Sequence, residues 1–346
     1  MPESMKVIVC SDSDAARWDA FVSAHPDATY SHRWNWKRVI EGALGWRTFF
    51  LLAEEADEVR GVLPLVVQKS WLFGTFVSSM PFLNAGGILA SGSEAQESLI
   101  GEALRITREA KARHLELRHR SDLRLALPGR TNKITVVLPL DSDTDKMWKA
   151  LDTKIRTKVR KSMSFGMTAE FGGANFLDEF YSVWSHNMRD LGTPAYSPAF
   201  FREIVRAFPD DTHLCVVRHQ NRPVAVSFLI GFRDIVEAVW SSSVQDALNL
   251  KPNMFLYWNL FCFAAKRGYR LFDFGRSTVD SGTHAFKMQW GGQTLPLHWN
   301  YWLPNGGALP EINPQNPKYR LAIRAWQKMP VPVTRILGPH IARCLP

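Results

Sequence analysis

The stretch LFDFGRSTVDSGTHAFKMQW, residues 271–290, decides how the rest of the chain is read. It opens as an apolar strand carried by Leu271, Phe272 and Phe274, but Asp273 stands in its middle and Gly275, Arg276 and Ser277 close it. A strand that changes abruptly into glycine, cation and hydroxyl delivers polar groups to a site. A second glycine turn, at Gly282 and Thr283, leads to Lys287 between Phe286 and Trp290. Upstream, residues 252–266 read as a long helix that Gly268 stops.

The same order occurs earlier in the chain. Residues 94–113 carry Leu99, Ala103, Ile106 and Ala110 at helical spacing and feed a short strand, 115–117, which ends in Arg118, His119 and Arg120. Strand pairs precede both helices, at 46–53 with 62–67 and at 224–230 with 235–241. A repeat of this length is a domain duplication, so the expectation is an α/β protein of two similar domains, each a mixed sheet flanked by helices. The length of 346 residues also favours two cores. The expected division is a first domain over 1–145, a basic linker helix over 146–165, a second domain over 166–312 and a basic amphipathic tail over 313–346. Further helices are expected over 15–23 and 33–41, a hairpin-like excursion over 71–76, and a strand over 134–140.

Composition restricts the function. No apolar run approaches a membrane span and residues 1–11 lack the apolar centre of a signal peptide, so a cytoplasmic protein is expected. Cys10, Cys215, Cys262 and Cys344 lie far apart, which suits buried thiols rather than disulfides or a metal site. The net charge of +9 favours an anionic partner: a phosphorylated small molecule, RNA or an acidic membrane surface, with DNA not expected. Two segments concentrate that charge. KMWKALDTKIRTKVRK, residues 146–161, sets Lys154, Lys158 and Lys161 on one helical face; it reads as a solvated linker helix or, because such a density repels itself unless an anion meets it, as a phosphate contact. From residue 313 onward Lys318, Arg320, Arg324, Lys328, Arg335 and Arg343 occur with no acid, and Tyr319, Ile323 and Trp326 form an apolar stripe. Such a stripe either packs on its own domain or lies on an anionic membrane peripheral to the cytoplasm.

The sequence holds no GxxxxGK[ST], HExxH or GxSxG, which leaves P-loop, zincin and hydrolase-elbow chemistry without support. It does hold the residue types of group transfer. An amine that attacks a carbonyl must lose a proton, and the carbonyl becomes an oxyanion that needs a donor or cation. Asp273 can orient or accept, and Lys287 or Arg276 can stabilise the charge. Asp273 and Arg276 face opposite ways along a regular strand unless Gly275 interrupts it. A structural Asp–Arg pair at a sheet edge remains the alternative. In FLNAGGILA, residues 82–90, Asn84, Gly86 and Gly87 mark either a close backbone approach or a simple turn.

The blocks IRTKVRKSMSFGM (155–167), DLGTPAYSPAFF (190–201), NRPVAVSFLI (221–230) and KPNMFLYWNLFCFAAKRGYRLFDFGRSTVDSGTHAFKMQWGG (251–292) together resemble the Fem family of peptidyl and aminoacyl transferases. The similarity is strongest to its relatives associated with envelope polysaccharides, and NAGG (84–87) resembles the family's glycine-pair loop. The resemblance implies tandem GNAT-like domains, and it implies amide formation on an amino sugar or other envelope or exopolysaccharide precursor, in the manner of peptidoglycan-modifying enzymes. Phe286 and Lys287 match a pair whose lysine is implicated in stabilising the transferred carbonyl, so Lys287, Asp273 and Arg276 are the catalytic candidates. Asn84, Gly86, Gly87, Arg118, His119, Trp240, Ser241, Asn253, Ser277, Gly282 and Thr283 are the candidates for binding a small-molecule or nucleotide-linked acceptor, or the donor. No tightly bound cofactor or metal is implied. The donor is an acyl-CoA or an aminoacyl-tRNA, although the long helical arm of tRNA-using members is missing and NLKPNM (249–254) replaces the GNAT pyrophosphate loop. A non-catalytic basic module that binds RNA or an anionic membrane on the same scaffold is the competing reading.

Overall fold

The computed structural model describes residues 4–71, 73–304, 306–309 and 317–345. In chain order the first elements are β1 (Lys6–Val9), α1 (Ala15–Ala24), α2 (Trp36–Leu44), β2 (Arg47–Glu55), β3 (Glu58–Ser70), β4 (Gly74–Ser78), β5 (Leu89–Ala90), α3 (Ser93–Glu109), β6 (Leu115–His119) and β7 (Gly129–Arg130). They are followed by β8 (Lys133–Pro139), α4 (Thr144–Ala150), α5 (Thr153–Met163), β9 (Thr168–Gly172), α6 (Leu177–Leu191), α7 (Pro198–Ala207), β10 (Thr212–His219), β11 (Arg222–Phe232) and β12 (Ile235–Ser243). The last are α8 (Pro252–Lys266), β13 (Leu271–Thr278), α9 (Gly282–Met288), β14 (Gln293–Pro296), β15 (His298–Trp302), α10 (Pro317–Lys328) and α11 (Val331–Ala342).

The duplication is plain in the sheets. The first runs β1-β2-β3-β4-β6-β15-β7, with β5 on β3, and the second, from its far edge, runs β9-β10-β11-β12-β13-β8-β14. In each, an antiparallel meander leads into a parallel pair, β4 with β6 and β12 with β13, joined by one crossover helix. The matching pairs are therefore β2–β3 with β10–β11. The expected match of 46–53 and 62–67 to 224–230 and 235–241 is off by one strand, because β4 reads as a turn around Gly74 in sequence.

The sixth strand of each sheet comes from the other half of the chain. β8 pairs in the second sheet and β15 in the first, against β6. The compact units are accordingly Met1–Lys133 with Pro296–Ile312 and Arg343–Pro346, and Ile134–Leu295 with Asn313–Ala342. This differs from the contiguous division at 145 and 312. Strand alternation identifies a strand but not which sheet receives it.

The expected basic linker is two helices belonging to the second unit. Leu151 is extended, with φ −64° and ψ 142°, and Asp152 caps α5 by accepting from the Lys154 backbone. Ile155, Val159 and Ser162 are buried and α5 packs on α8, with Trp148 edge-on to Trp258 at 4.9 Å. The helix expected over 33–41 starts later, at Trp36, because Thr29 caps a short 3-10 turn over Tyr30–His32 and Arg33 is extended. In the 313–346 segment, Ile323 and the buried Trp326 belong to α10, which packs on α6; Lys318 and Tyr319 have side chains outside the described ones.

In the first unit the core fills the space between α3 and the sheet: Leu51, Leu63, Leu65, Val77, Leu115 and Leu117 against Leu99, Ala103 and Ile106. The second unit is aromatic. Phe180, Phe201, Phe228 and Trp240 pack on one side, while Tyr257, Phe261, Phe272 and Phe274 join α8 to β13. Burying rings of this size contributes on the order of 2–3 kcal/mol each, so these contacts fix α8 and β13 as one body.

Candidate active site

The parallel ladder between β12 and β13 is short. It pairs Ile235 with Leu271, Val236 with Phe272 and Glu237 with Asp273, and then ends, although β12 continues to Ser243 and β13 to Thr278. Both strands depart from regular geometry just beyond that point. In β12 the register with β11 shifts between Phe228 and Leu229, so that Phe228 faces Trp240 and Leu229 faces Ala238, a bulge at Val239. In β13, Gly275 has φ +70°, a conformation that glycine adopts without strain. The two strands diverge toward their C-terminal ends, where ligands of parallel α/β sheets gather. The equivalent seam in the first sheet is closed: the Ser79 backbone N–H donates to Glu116 O at 2.9 Å and the Arg118 N–H to Ser79 Oγ at 2.9 Å.

Lys287 stands at this divergence. It is 7% exposed, and its Nζ donates to the carbonyls of Gly275 at 2.7 Å and Arg276 at 3.0 Å, both on β13 beyond the last ladder pair. α9 carries it there, capped by Ser281, whose Oγ accepts from the His284 N–H at 3.2 Å. Phe286 and Trp290 lock the helix against Tyr257. Burial pushes the Lys287 ammonium down to about 8, opposed by the charges of Asp273 and Glu237 and assisted by that of Arg276.

Asp273 is 2% exposed, and one of its oxygens accepts from Thr135 Oγ1 and from the Gly275 N–H at 2.8 Å. Thr135 comes from β8, the strand contributed by the other half of the chain. Glu237, also buried, is the ladder partner of Asp273. The cation thus sits near two buried carboxylates. Arg276 is exposed, and Ser277 is buried with no partner for its Oγ among the described residues. The strand does not end between Asp273 and Arg276: β13 runs on through Gly275, which only distorts it, and Asp273 stays buried while Arg276 is exposed.

The structure brings together Lys287, Asp273, Arg276 and Ser277 in the second unit, with Ser241 and Trp240 on the neighbouring strand. Ser241 bonds Ser227 Oγ at 2.8 Å and the buried Tyr257 hydroxyl, whose pKa burial raises. Trp240 stands edge-on to Phe201 and Phe228 and is half-buried. Asn253 is half-buried in the first turn of α8, and Gly282 and Thr283 are exposed at the start of α9.

The remaining candidates lie in the first unit and are occupied there by packing. Arg118 is buried, bonded to Glu116 at 2.5 Å and to Leu83 O at 2.8 Å, and stacked over Trp299 at 4.4 Å. Burial alone would raise the Glu116 pKa, but the Arg118 charge and hydrogen bonds from Tyr301 and Arg118 bring it below its ordinary value. His119 is buried among Asn300 and His298, and burial pushes it down to about 4, so it is neutral. Gly87 answers the expectation of close approach: a Cβ there would lie 2.3 Å from the His119 ring. Gly86 lies against Met80, and the Asn84 carbonyl accepts from Trp299 Nε1 at 3.4 Å.

Sequence reading missed Glu237, Thr135 and Tyr257. Glu237 gave the same signal as Asp273, an acid inside an apolar strand. Thr135 gave none, because its role depends on β8 crossing into the second sheet.

A short parallel pair joined by a crossover helix, present twice and diverging in the second unit, defines the class: the chain has the tandem GNAT fold in its Fem-like form. Residues 150–288 match the acetyltransferase (GNAT) domain family. Among solved structures, FemX shares 16% identity, covers 92% of this chain and 100% of its own, and superposes with a TM-score of 0.65. L-PGS from Bacillus licheniformis shares 12% identity over 94% of this chain and 97% of its own, with a TM-score of 0.55. A tandem GNAT protein from the clavulanic acid biosynthesis pathway shares 10% over 88% of this chain and 100% of its own, with a TM-score of 0.53. No curated protein matches the chain in sequence.

Proposed function

We propose that the protein is a transferase that moves an acyl or aminoacyl group from an activated carboxyl onto an amine. The observation that carries this reading is the buried Lys287 ammonium at the point where β12 and β13 diverge. The amine nitrogen attacks the carbonyl carbon and a new C–N bond forms. The C–S bond of a thioester donor, or the C–O bond of an aminoacyl ester, then breaks; its electron pair leaves with the sulfur or oxygen, and the amine's surplus proton passes to the leaving group or to water. Two of the three Lys287 N–H bonds hold the β13 carbonyls, and the third is available to the developing oxyanion. Asp273, already accepting from Thr135 and Gly275, acts as the positioning group that keeps Lys287 charged, with Glu237 beside it; Arg276 contacts a phosphate or carboxylate of a substrate. Both substrates bind together, and the site works by orientation and charge stabilisation.

Acyl-CoA is the favoured donor, since the GNAT-domain match spans all of these second-unit residues except Thr135. Aminoacyl-tRNA is the second, supported by the likeness to FemX and by the exposed Lys154, Lys158, Arg160 and Lys161 of α5. The acceptor is proposed as an amino sugar or nucleotide-linked precursor of the cell envelope or an exopolysaccharide, modified in the cytoplasm. Mass spectrometry of ligands that copurify with the protein, followed by transfer assays with both donors, tests this. A CoA thioester or a nucleotide sugar in the purified protein, and amide product in the assay, is the expected result. Absence of transfer from both donor classes to any amine, with salt-sensitive RNA binding that survives replacement of Asp273, Arg276 and Lys287, would replace the enzyme by a binding module.

A further inference from the structure

The two helices that end the second unit present a surface that the reaction does not use. Both pack on α6. Arg189 Nη1 donates to Met329 O at 3.1 Å, Gln327 Nε2 to Asp190 O at 2.9 Å, Arg335 Nε to Ser185 Oγ at 2.9 Å and Arg335 Nη2 to Ser182 O at 3.1 Å. Ile323, Trp326, Thr334, Gly338 and Ala342 turn inward. What remains faces away from α6. On α10 that face carries Arg320, Arg324 and Lys328 at i, i+4 and i+8, all exposed, with Leu321 beside them at 72% exposure. On α11 it carries Val333, Ile336 and Leu337, with Ile336 69% exposed.

This pattern runs against what a free surface requires. Like charges at i, i+4 destabilise a helix, and exposed aliphatic side chains on adjoining turns are costly in water. No acid occurs between residues 313 and 346 to compensate the cations, and the α6 acid beneath them, Asp190, is paired with Arg189 and His186. Cations on one helix and aliphatic side chains on the next, both exposed on helices that pack on α6, complement one kind of partner in both respects: anionic headgroups over acyl chains. RNA would leave the aliphatic stripe unused, since bases stack on aromatic side chains, and a symmetric second copy would set the cations against one another. No helix among the described residues is long and apolar enough to cross a membrane.

We propose that α10 and α11 form a peripheral membrane-docking surface, with Leu321, Val333, Ile336 and Leu337 entering the interface of an anionic bilayer and Arg320, Arg324 and Lys328 meeting its headgroups. The surface is separate from the reaction proposed above, and its test does not depend on turnover.

The test is cosedimentation of the full chain with phosphatidylcholine vesicles, and with vesicles in which phosphatidylglycerol replaces part of the phosphatidylcholine. Binding is expected only to the second, weakening with added salt. Each cation contributes roughly fivefold near an anionic surface, so R320E/R324E/K328E is expected to lower partitioning by at least about a hundredfold. I336D/L337D is expected to abolish insertion. All these positions are exposed, so both variants should melt as the wild type does, and Lys287→Ala should bind vesicles unchanged. Equal binding to neutral and anionic vesicles, or none to either, overturns the proposal. So does retention of tRNA that is lost in R320E/R324E/K328E while vesicles are ignored, and so does a doubled mass in sedimentation velocity that I336D/L337D abolishes.

Discussion

A lysine kept from water beside two carboxylates can hold its charge while remaining poised to lose it. In Lys287 burial lowers the pKa to about 8, and Asp273 and Glu237 limit the fall. The group is mostly cationic at neutral pH, as oxyanion stabilisation requires. Lys287→Ala is expected to lower turnover by ~10²–10³ with the fold intact, measured by steady-state transfer and circular dichroism. A stability effect follows from the same shift. The folded-state pKa lies below the 10.5 of the free side chain, so between about pH 8 and 10.5 the unfolded chain binds the extra proton and stability rises with pH. Relative to Lys287→Met, the wild type is expected to gain roughly 2–3 kcal/mol between pH 7 and pH 10.5 in denaturant titrations. A constant difference would show that Lys287 is not desolvated. Lys287 and Asp273 were legible in sequence because each breaks an apolar context. Glu237 breaks one too, but lacked the neighbouring glycine and cation that singled out β13.

At the scale of elements, two glycines carry the geometry for different reasons. Gly275 turns its carbonyl to Lys287 at φ +70°, where a side chain costs about 1–2 kcal/mol. Gly275→Ala is expected to lose more activity than stability, read as a kcat decrease far larger than the shift in Tm allows. Gly87 admits the His119 ring, and Gly87→Ala is expected to cost roughly 2–3 kcal/mol in unfolding free energy. In sequence the glycine pair was legible only as either a close approach or a turn, and what approaches it was not legible: the partner of Gly87 is a side chain of the same unit. The helices show a similar limit. α8 has the bounds expected of it, because Pro252 and the Gly268 turn punctuate the apolar run at both ends. The basic run over 146–161 was read as one helix, yet Leu151 and Asp152 break it, and only packing against α8 shows which side is buried.

For the whole molecule, duplication was legible and the exchange of strands was not. Repeated helix–strand order is a local pattern, whereas the partners of β8 and β15 depend on where the chain crosses between sheets. That crossing has a consequence for dissection. A fragment of residues 1–145 lacks β15 and carries β8 with no sheet to join. It is expected to express as insoluble or non-cooperatively unfolding material, checked by thermal melts of the fragment and the full chain. A cooperative, soluble fragment would mean that β15 adds little to the first sheet. The exchange also links fold to site, since Thr135 on β8 holds Asp273 on β13.

The proposed role of Lys287 is to stabilise, as a cation, the oxyanion of acyl transfer. It is tested most directly by the pH dependence of kcat for transfer to an amine acceptor, followed in the wild type and in Lys287→Ala. The expected result is a wild-type rate that falls as pH rises through about 8, and a residual rate in the variant that lacks this limb. A wild-type rate that climbs through the same range, or a variant that keeps both the rate and the limb, would contradict it.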